Sequence, residues 1–417
     1  MRNPFKPIAI SLIPNYSFSD VVRSFWLFLQ PWAYLDFQAE GRLVGKISLF
    51  LGRKHVILCE SGRAAEYFLL KALGIGPGDE VIIQAFTCVA VPNSIIWNGA
   101  RPVYCDIDES LNLDPKKLEK LITLKTKAVI FQATFGAMGK IREIREICRQ
   151  HKVLLIEDLA HGLGNESKTE KLGNFGGAAY LSFGRDKVIS GIWGGAVVTD
   201  DDGLYERLQA LTESLPERGR WWVAKQLVFA PLVYLILQTY AFFNLGKALH
   251  RTLWLAGILP KVLDLAEKEG ERREVFHRGM PGALARLAES QLTDLGKMIG
   301  HRKRLADYYD GALRGVAGVK FPGGEGSSFL RYSILVSDPQ GLRRFAARRN
   351  VFLGDWYDNV VAPKGVSLEK AGYRLGSCSQ AEEMTGKIVN LPTGVNVDLV
   401  DAERVVNVIS LWLKHKD

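Results

Sequence analysis

Residues Val153 to Thr199 read VLLIEDLAHGLGNESKTEKLGNFGGAAYLSFGRDKVISGIWGGAVVT. The opening run, Val153 to Ile156, is short and apolar, as a buried parallel strand requires, and it ends in the carboxylates Glu157 and Asp158. Ligand chemistry in open α/β sheets collects at such carboxyl ends. A second apolar segment, Ala178 to Phe183, leads into Gly184, Arg185, Asp186 and Lys187, followed by a glycine-bearing turn and the strand-like Ala196 to Thr199. This order lets an acid and a lysine face one pocket.

Upstream, a strand at Val56 to Cys59 leads into Ser61, Gly62 and Arg63 and then the helix-like AAEYFLLKALGI, closed by Gly74 and Gly76. A glycine-containing turn at a helix N-terminus presents free backbone N–H groups to an anion. The turn GPGDEV and the strand VIIQAF follow, then Thr87 and Cys88. Strand Pro102 to Asp106, helix Pro115 to Ile122 capped by Asp114, strand Ala128 to Ala133 and helix Ile141 to His151 complete the approach. Such alternation specifies an α/β domain, a parallel sheet with helices on both faces. A dinucleotide-binding reading fails because no GxGxxG follows the first strand; Gly191, Gly194 and Gly195 lie far downstream.

From about Val56 to about Leu211 this order resembles the DegT-type sugar aminotransferases, pyridoxal-phosphate enzymes of fold type I. The resemblance rests on a strand, Glu157-Asp158, a small-residue segment, Ser182-Phe183 and Lys187. It implies a large, mainly parallel-sheet domain and a smaller α+β C-terminal domain. It also implies that Lys187 forms a Schiff base with pyridoxal 5'-phosphate, while Asp158 keeps the pyridine nitrogen protonated so that the ring accepts electrons from the substrate's Cα. By the same resemblance Ser182 and the Gly62-Arg63 turn bind the cofactor phosphate, and His161 lies near the ring. Three positions depart from the family. Arg63 stands where Thr is usual, although a guanidinium also grips phosphate. Cys88 replaces an aromatic that stacks on the ring, with less contact area. His277, with Arg278 beside it, aligns with an Asn that reaches the neighbouring subunit's phosphate.

The activity implied is transfer of an amino group from an amino acid, glutamate by resemblance, to a keto group of an activated sugar, in a homodimer. Two rivals stand beside it. A sugar dehydratase of the same fold replaces the lysine with His, and Lys187 argues against that. A membrane-associated, non-catalytic scaffold that kept the fold draws on the departures at Arg63, Cys88 and His277.

The chain has 417 residues and a formal net charge of +9, which permits anionic partners without selecting one; no nucleic-acid partner is expected. The five cysteines, Cys59, Cys88, Cys105, Cys148 and Cys378, show neither a metal-type spacing nor a close pair, as expected of a reduced, cytoplasmic compartment. Met1 to Pro14 lacks an h-region, so no signal peptide is expected. The expected organisation is an N-terminal arm (1–51), the cofactor domain (52–214), an extra apolar and basic segment (215–275), and a connecting helix with the small domain (276–417), where Arg331, Trp356 and Tyr357 are substrate-binding candidates.

Two segments suggest further contacts. The arm reads as one aromatic helix, Phe18 to Leu35, broken near Pro31, with Val22, Phe25, Trp26, Phe28, Leu29 and Trp32 on a face to be hidden against the body or a partner subunit. The extra segment carries an uncharged run, Gln226 to Gly246, long enough to cross a bilayer as a helix. Pro231, Gln238, Thr239 and Asn244 weaken a simple span, and both flanks must return to one catalytic body. The expectation is therefore an interfacial or re-entrant hairpin with Thr252 to Leu259 as second arm. Cations and aromatics from Arg218 to Leu263 would then sit at the inner membrane surface as a peripheral or monotopic anchor. An extra buried subdomain or a dimer contact is the competing reading.

Overall fold

The computed structural model describes residues 5–415 except 168, 258, 260–262, 264, 273–275 and 324–327. The first four residues, residue 258 of the expected second arm and several positions of its tail therefore lie outside the described residues.

Seven strands form the central sheet in the order His55–Cys59, Gly195–Thr199, Ala178–Ser182, Leu154–Asp158, Thr126–Gln132, Glu80–Gln84, Arg101–Cys105. Neighbours run parallel except at Gly195–Thr199, which is antiparallel to both strands beside it. The reason is local: no helix separates Ser182 from Gly195, and without a crossover the chain must turn back. Alternate residues serve opposite faces. Ile130, Ile156, Tyr180 and Val197 pack with Ala65 and Leu69 of the helix Gly62–Ala72, while Phe131, Leu155, Leu181 and Val198 join the larger core on the other side.

This alternation separates the two acids at the end of Leu154–Asp158. Glu157 points into the larger core's side and accepts from the backbone N–H groups of Gly173, Phe175 and Gly176, each at 2.7 Å. It is a structural anchor for that loop. Glu157→Gln should keep the two bonds on one oxygen but set an NH2 against the Gly173 N–H. That costs about 1–3 kcal/mol and should appear as a lower urea midpoint with cofactor binding retained.

The arm differs from its expectation. Its helix ends at Phe28, a 3-10 turn covers Pro31–Ala33, and a second helix, Phe37–Leu51, starts at the Asp36 cap. Pro31 lacks the N–H that would continue the first helix. The hidden face is Val21, Ser24 and Leu27, whereas Trp26 and Trp32 remain 59% and 74% exposed. Of the expected stripe only Phe28 packs against the core within one chain; Val22, Phe25, Trp26, Leu29 and Trp32 stay exposed because they lie away from the face that meets the body.

The extra segment forms a helical hairpin, Arg220–Gln238 and Leu245–Leu255, so the second arm starts earlier than expected. Val223, Leu227, Ala230, Val233 and Ile236 are buried in the main core, which at about 1.5–3 kcal/mol per large apolar side chain anchors the helix firmly. Pro231 removes the N–H that would bond the Leu227 carbonyl. Ser24 of the arm supplies the replacement, its Oγ donating to that carbonyl at 2.7 Å in a buried setting. A simple bilayer crossing is excluded by this packing: the helix is one side of a protein seam.

In the C-terminal part, Tyr332–Leu335 pairs antiparallel with Ile388–Leu391, packed by Leu295–Leu313, Pro339–Ala347 and Leu399–Lys414. Ile8–Ala9 pairs parallel with Val351–Phe352, so the chain's beginning is tied to this domain. Val361–Ala362 pairs with Thr87–Cys88 and brings the domain to the edge of the sheet's carboxyl ends.

Candidate active site

A cavity of about 440 Å³ opens at those carboxyl ends, between the sheet and the C-terminal domain. Gly62, Arg63, Cys88, Asp158, His161, Ser182 and Lys187 all line it. Arg331, Trp356 and Tyr357 close it from the small domain. Residues far apart in sequence are thus brought together as the resemblance implied. His277 is the exception: it lies outside this cavity, with Nδ1 3.2 Å from Glu60 Oε2.

Lys187 is half-buried, and its Nζ sits 3.2 Å from His161 Nε2. Burial lowers the amine's pKa, Arg331 adds to the effect, and Asp158, Cys88 and Asp186 oppose it. Burial also holds His161 well below its ordinary value, with Lys187 and Arg331 contributing. The imidazole is therefore a neutral neighbour able to accept from the amine. Its ring lies near-parallel beside those of Phe135 at 5.9 Å and Tyr357 at 6.3 Å, which are themselves 5.7 Å apart, and this three-ring cluster restricts its orientation.

Asp158 ends its strand on the cavity side, where its Oδ1 accepts from the Ala160 N–H at 2.8 Å. Burial raises its carboxyl pKa, and Lys187 is the main opposing influence. A cation placed against this carboxylate is favoured by the same low dielectric.

At the other end of the cavity the helix Gly62–Ala72 begins, with Ser61 as its N-cap. A Cβ at Gly62 would lie 2.7 Å from the Ser182 Cβ and 3.0 Å from its Oγ, so only glycine allows this approach. The N-terminal end of the helix and a hydroxyl meet there, the arrangement an anionic group requires. The Arg63 guanidinium is paired with the buried Glu267 and lies 5.6 Å from the centre of the Trp193 ring. Cys88 is half-buried on its short strand.

Several lining residues escaped the sequence reading. Tyr180 is Asp158's register partner on the neighbouring strand, and Glu66 lies one turn into the Gly62–Ala72 helix. Burial pushes the Glu66 carboxyl well up, with Asp158 adding to the effect. Both were legible in principle, Tyr180 two residues before Ser182 and Glu66 four after Gly62, positions that repeat the faces of a strand and a helix. The lysine loop also rests on the hairpin: Arg185 Nη2 donates to the buried Gln226 Oε1 at 3.1 Å, with its guanidinium 4.0 Å from the Phe229 ring centre. Asn15 donates to the Lys187 carbonyl from the arm, and Tyr16 OH donates to the Ser190 carbonyl at 3.1 Å. Nothing local in sequence announces these long-range contacts.

Comparison with known proteins agrees with this geometry. The chain is 39% identical over 175 residues to the GDP-perosamine synthase of Caulobacter vibrioides, covering 42% of this chain and 47% of that protein. It is 36% identical over 179 residues to the UDP-2-acetamido-2-deoxy-3-oxo-D-glucuronate aminotransferase of Pseudomonas aeruginosa, covering 42% and 50%. The matched part thus spans about half the length of these curated relatives. Among solved structures, Helicobacter pylori PseC, described as an aminotransferase involved in the biosynthesis of pseudoaminic acid, superposes with a TM-score of 0.76 at 20% identity, covering 98% of this chain and all of that one (100%). This likeness establishes a fold type I architecture. The family model for the DegT/DnrJ/EryC1/StrS aminotransferases matches residues 34–225 and 275–410, and the unmatched stretch between them contains most of the hairpin. The match takes in the sheet, the lysine loop and the small domain, and the chain belongs to the DegT/DnrJ/EryC1/StrS aminotransferase family.

Proposed function

We propose that this protein is a pyridoxal-phosphate-dependent aminotransferase that moves an amino group from an amino acid, glutamate, to a keto group of a nucleotide-linked or otherwise activated sugar. The observation that carries the reading is the joint placement of Lys187, Asp158 and the Gly62–Ala72 helix start around one cavity. Aminotransferases of this family use pyridoxal 5'-phosphate, and the residues present fit it. Lys187 offers a half-buried amine of lowered pKa, Asp158 a buried carboxylate, and Ser182 with the helix start an anion cradle. When bound, the cofactor supplies an electron sink for the carbon that loses or gains the amino group.

In this reading the chain's own groups divide the work. Lys187 holds the cofactor and, once displaced by substrate, carries the proton to and from the substrate's Cα. Asp158 holds the proton on the ring nitrogen. His161 keeps the amine oriented from 3.2 Å. Arg331, buried and stacked at 3.3 Å on the Trp356 ring, is a cation for a substrate carboxylate or phosphate. The names of the relatives, one linked to GDP and one to UDP, support a nucleotide-linked sugar. A homodimer is what the alignment of His277 with a residue that reaches the neighbouring subunit implies; within its own chain His277 lies outside the cavity, beside Glu60. All five cysteines are free, in keeping with a reducing cytoplasm. The dehydratase alternative is disfavoured by Lys187.

Purified protein should be yellow, with a long-wavelength absorbance band that borohydride removes, and should convert glutamate to 2-oxoglutarate with one member of a nucleotide-ketosugar panel. Protein that takes up no cofactor on reconstitution overturns the reading.

A further inference from the structure

The hairpin and the arm together leave a surface that the aminotransferase chemistry does not use. Ser24 meets Leu227, and the Phe18 ring lies 5.6 Å from that of Tyr234, so the arm helix and Arg220–Gln238 run antiparallel side by side. Their inner faces are in the core, and large apolar side chains on their outer side, in the turn after Gln238 and on Leu245–Leu255 are exposed. Trp221, Phe243 and Trp254 are 84%, 89% and 52% exposed, and Trp26 and Trp32 of the arm stand out as well. Around them Arg220, Lys225, Lys247 and Arg251 are exposed. No acidic residue occurs between Glu217 and Asp264.

We infer that this face docks on an anionic lipid bilayer, with the hairpin lying in the headgroup region and the catalytic body outside it. Three observations select the occupant. Exposed tryptophans and phenylalanines mixed with cations are the composition of a membrane interface, where aromatic rings settle at headgroup depth and each cation gains from anionic lipid. A second copy seated by twofold symmetry would set the patch against itself, and a segment with cations and no acids then meets like charge. The inner half of Arg220–Gln238 is sealed into the protein core, so the outer half can enter the interface only lengthwise, without crossing.

The test uses the full chain, loaded with cofactor, floated with vesicles of phosphatidylcholine alone or mixed with phosphatidylglycerol. The protein should float with the mixed vesicles, at least tenfold better than with the neutral ones, and raised salt should release it. Trp221→Ser/Phe243→Ser/Trp254→Ser and Arg220→Glu/Lys247→Glu/Arg251→Glu should each lower flotation at least tenfold while the melting temperature and transaminase rate stay near those of the parent. All six positions are exposed and none lines the cavity, so folding should survive; Phe243→Ser alone is the milder form. A parent protein that stays in the vesicle-free fraction, or floats equally with both lipids, overturns the inference. So does a halving of molar mass by light scattering in the aromatic variant, which would make the face a contact between copies. Loss of flotation with turnover intact separates this inference from the catalytic reading.

Discussion

Lys187→Ala should abolish turnover while the protein still binds pyridoxal 5'-phosphate. In the proposed reaction one amine has to hold the cofactor covalently and then move a proton to and from the substrate's Cα, and among the described residues no other lysine is placed to do either. Among the described residues the only other lysine lining the cavity is Lys268, which is half-buried and whose Nζ donates to the Lys364 carbonyl at 3.4 Å. Loss of general acid–base transfer alone is worth about 10²–10⁴ in rate, and loss of the nucleophile adds to it. The anion cradle at Gly62 and Ser182 and the carboxylate of Asp158 remain, so non-covalent binding persists. The variant should therefore show cofactor absorbance that borohydride does not fix to the protein, and no 2-oxoglutarate in the coupled assay. Removing the amine also relieves one of the influences that depress His161, whose pKa should move up. Near-normal transamination by this variant would falsify the assignment of the lysine.

For Asp158→Asn the expected outcome is a folded enzyme slowed by orders of magnitude. In the proposed site the carboxylate's partner would be the protonated ring nitrogen, and a hydrogen bond to a charged group is worth about 1.5–3 kcal/mol. At about 1.4 kcal/mol per decade this alone is a tenfold to hundredfold loss, before the poorer electron sink of an unprotonated ring is counted. Asn is nearly isosteric and its oxygen can still accept from the Ala160 N–H, so the strand end should hold. There is also a consequence for pH. Asp158 raises the Lys187 pKa against the burial that lowers it. Without the carboxylate the amine's pKa falls further, so it becomes neutral at lower pH, and the onset of covalent cofactor uptake should shift to more acid conditions. An unchanged kcat would remove Asp158 from the electron-sink role.

The cofactor side of this site was readable before any coordinates because its signals are local. A strand's end, a glycine at a helix start and a lysine after Ser182-Phe183 are short-range patterns, and the alternation of strands and helices around them specifies the sheet. The boundary followed closely at the Asp114 cap, where the signal is local, and the helix Ile141–His151 matches its expected span although its N-cap Lys140 makes no side-chain cap bond. The turn-back at Gly195–Thr199 was not drawn from the sequence, although the missing crossover helix was visible in it.

By itself the sequence determined the fold class, the two acids and the lysine, and the presence of an uncharged segment foreign to the sheet domain. Tertiary structure alone decided three further matters. It turned Glu157 towards the loop at Gly173–Gly176 and Asp158 towards the cavity, because alternation says that neighbours diverge but not what waits on either face. It set Arg185 against Gln226 and Phe229, and Asn15 and Tyr16 against the lysine loop, through contacts that no short window contains. And it divided the apolar hairpin into a sealed inner half, where Ser24 satisfies the carbonyl that Pro231 leaves open, and an exposed outer half. Hydropathy measures only how strongly a segment avoids water; which surface covers it is settled by packing.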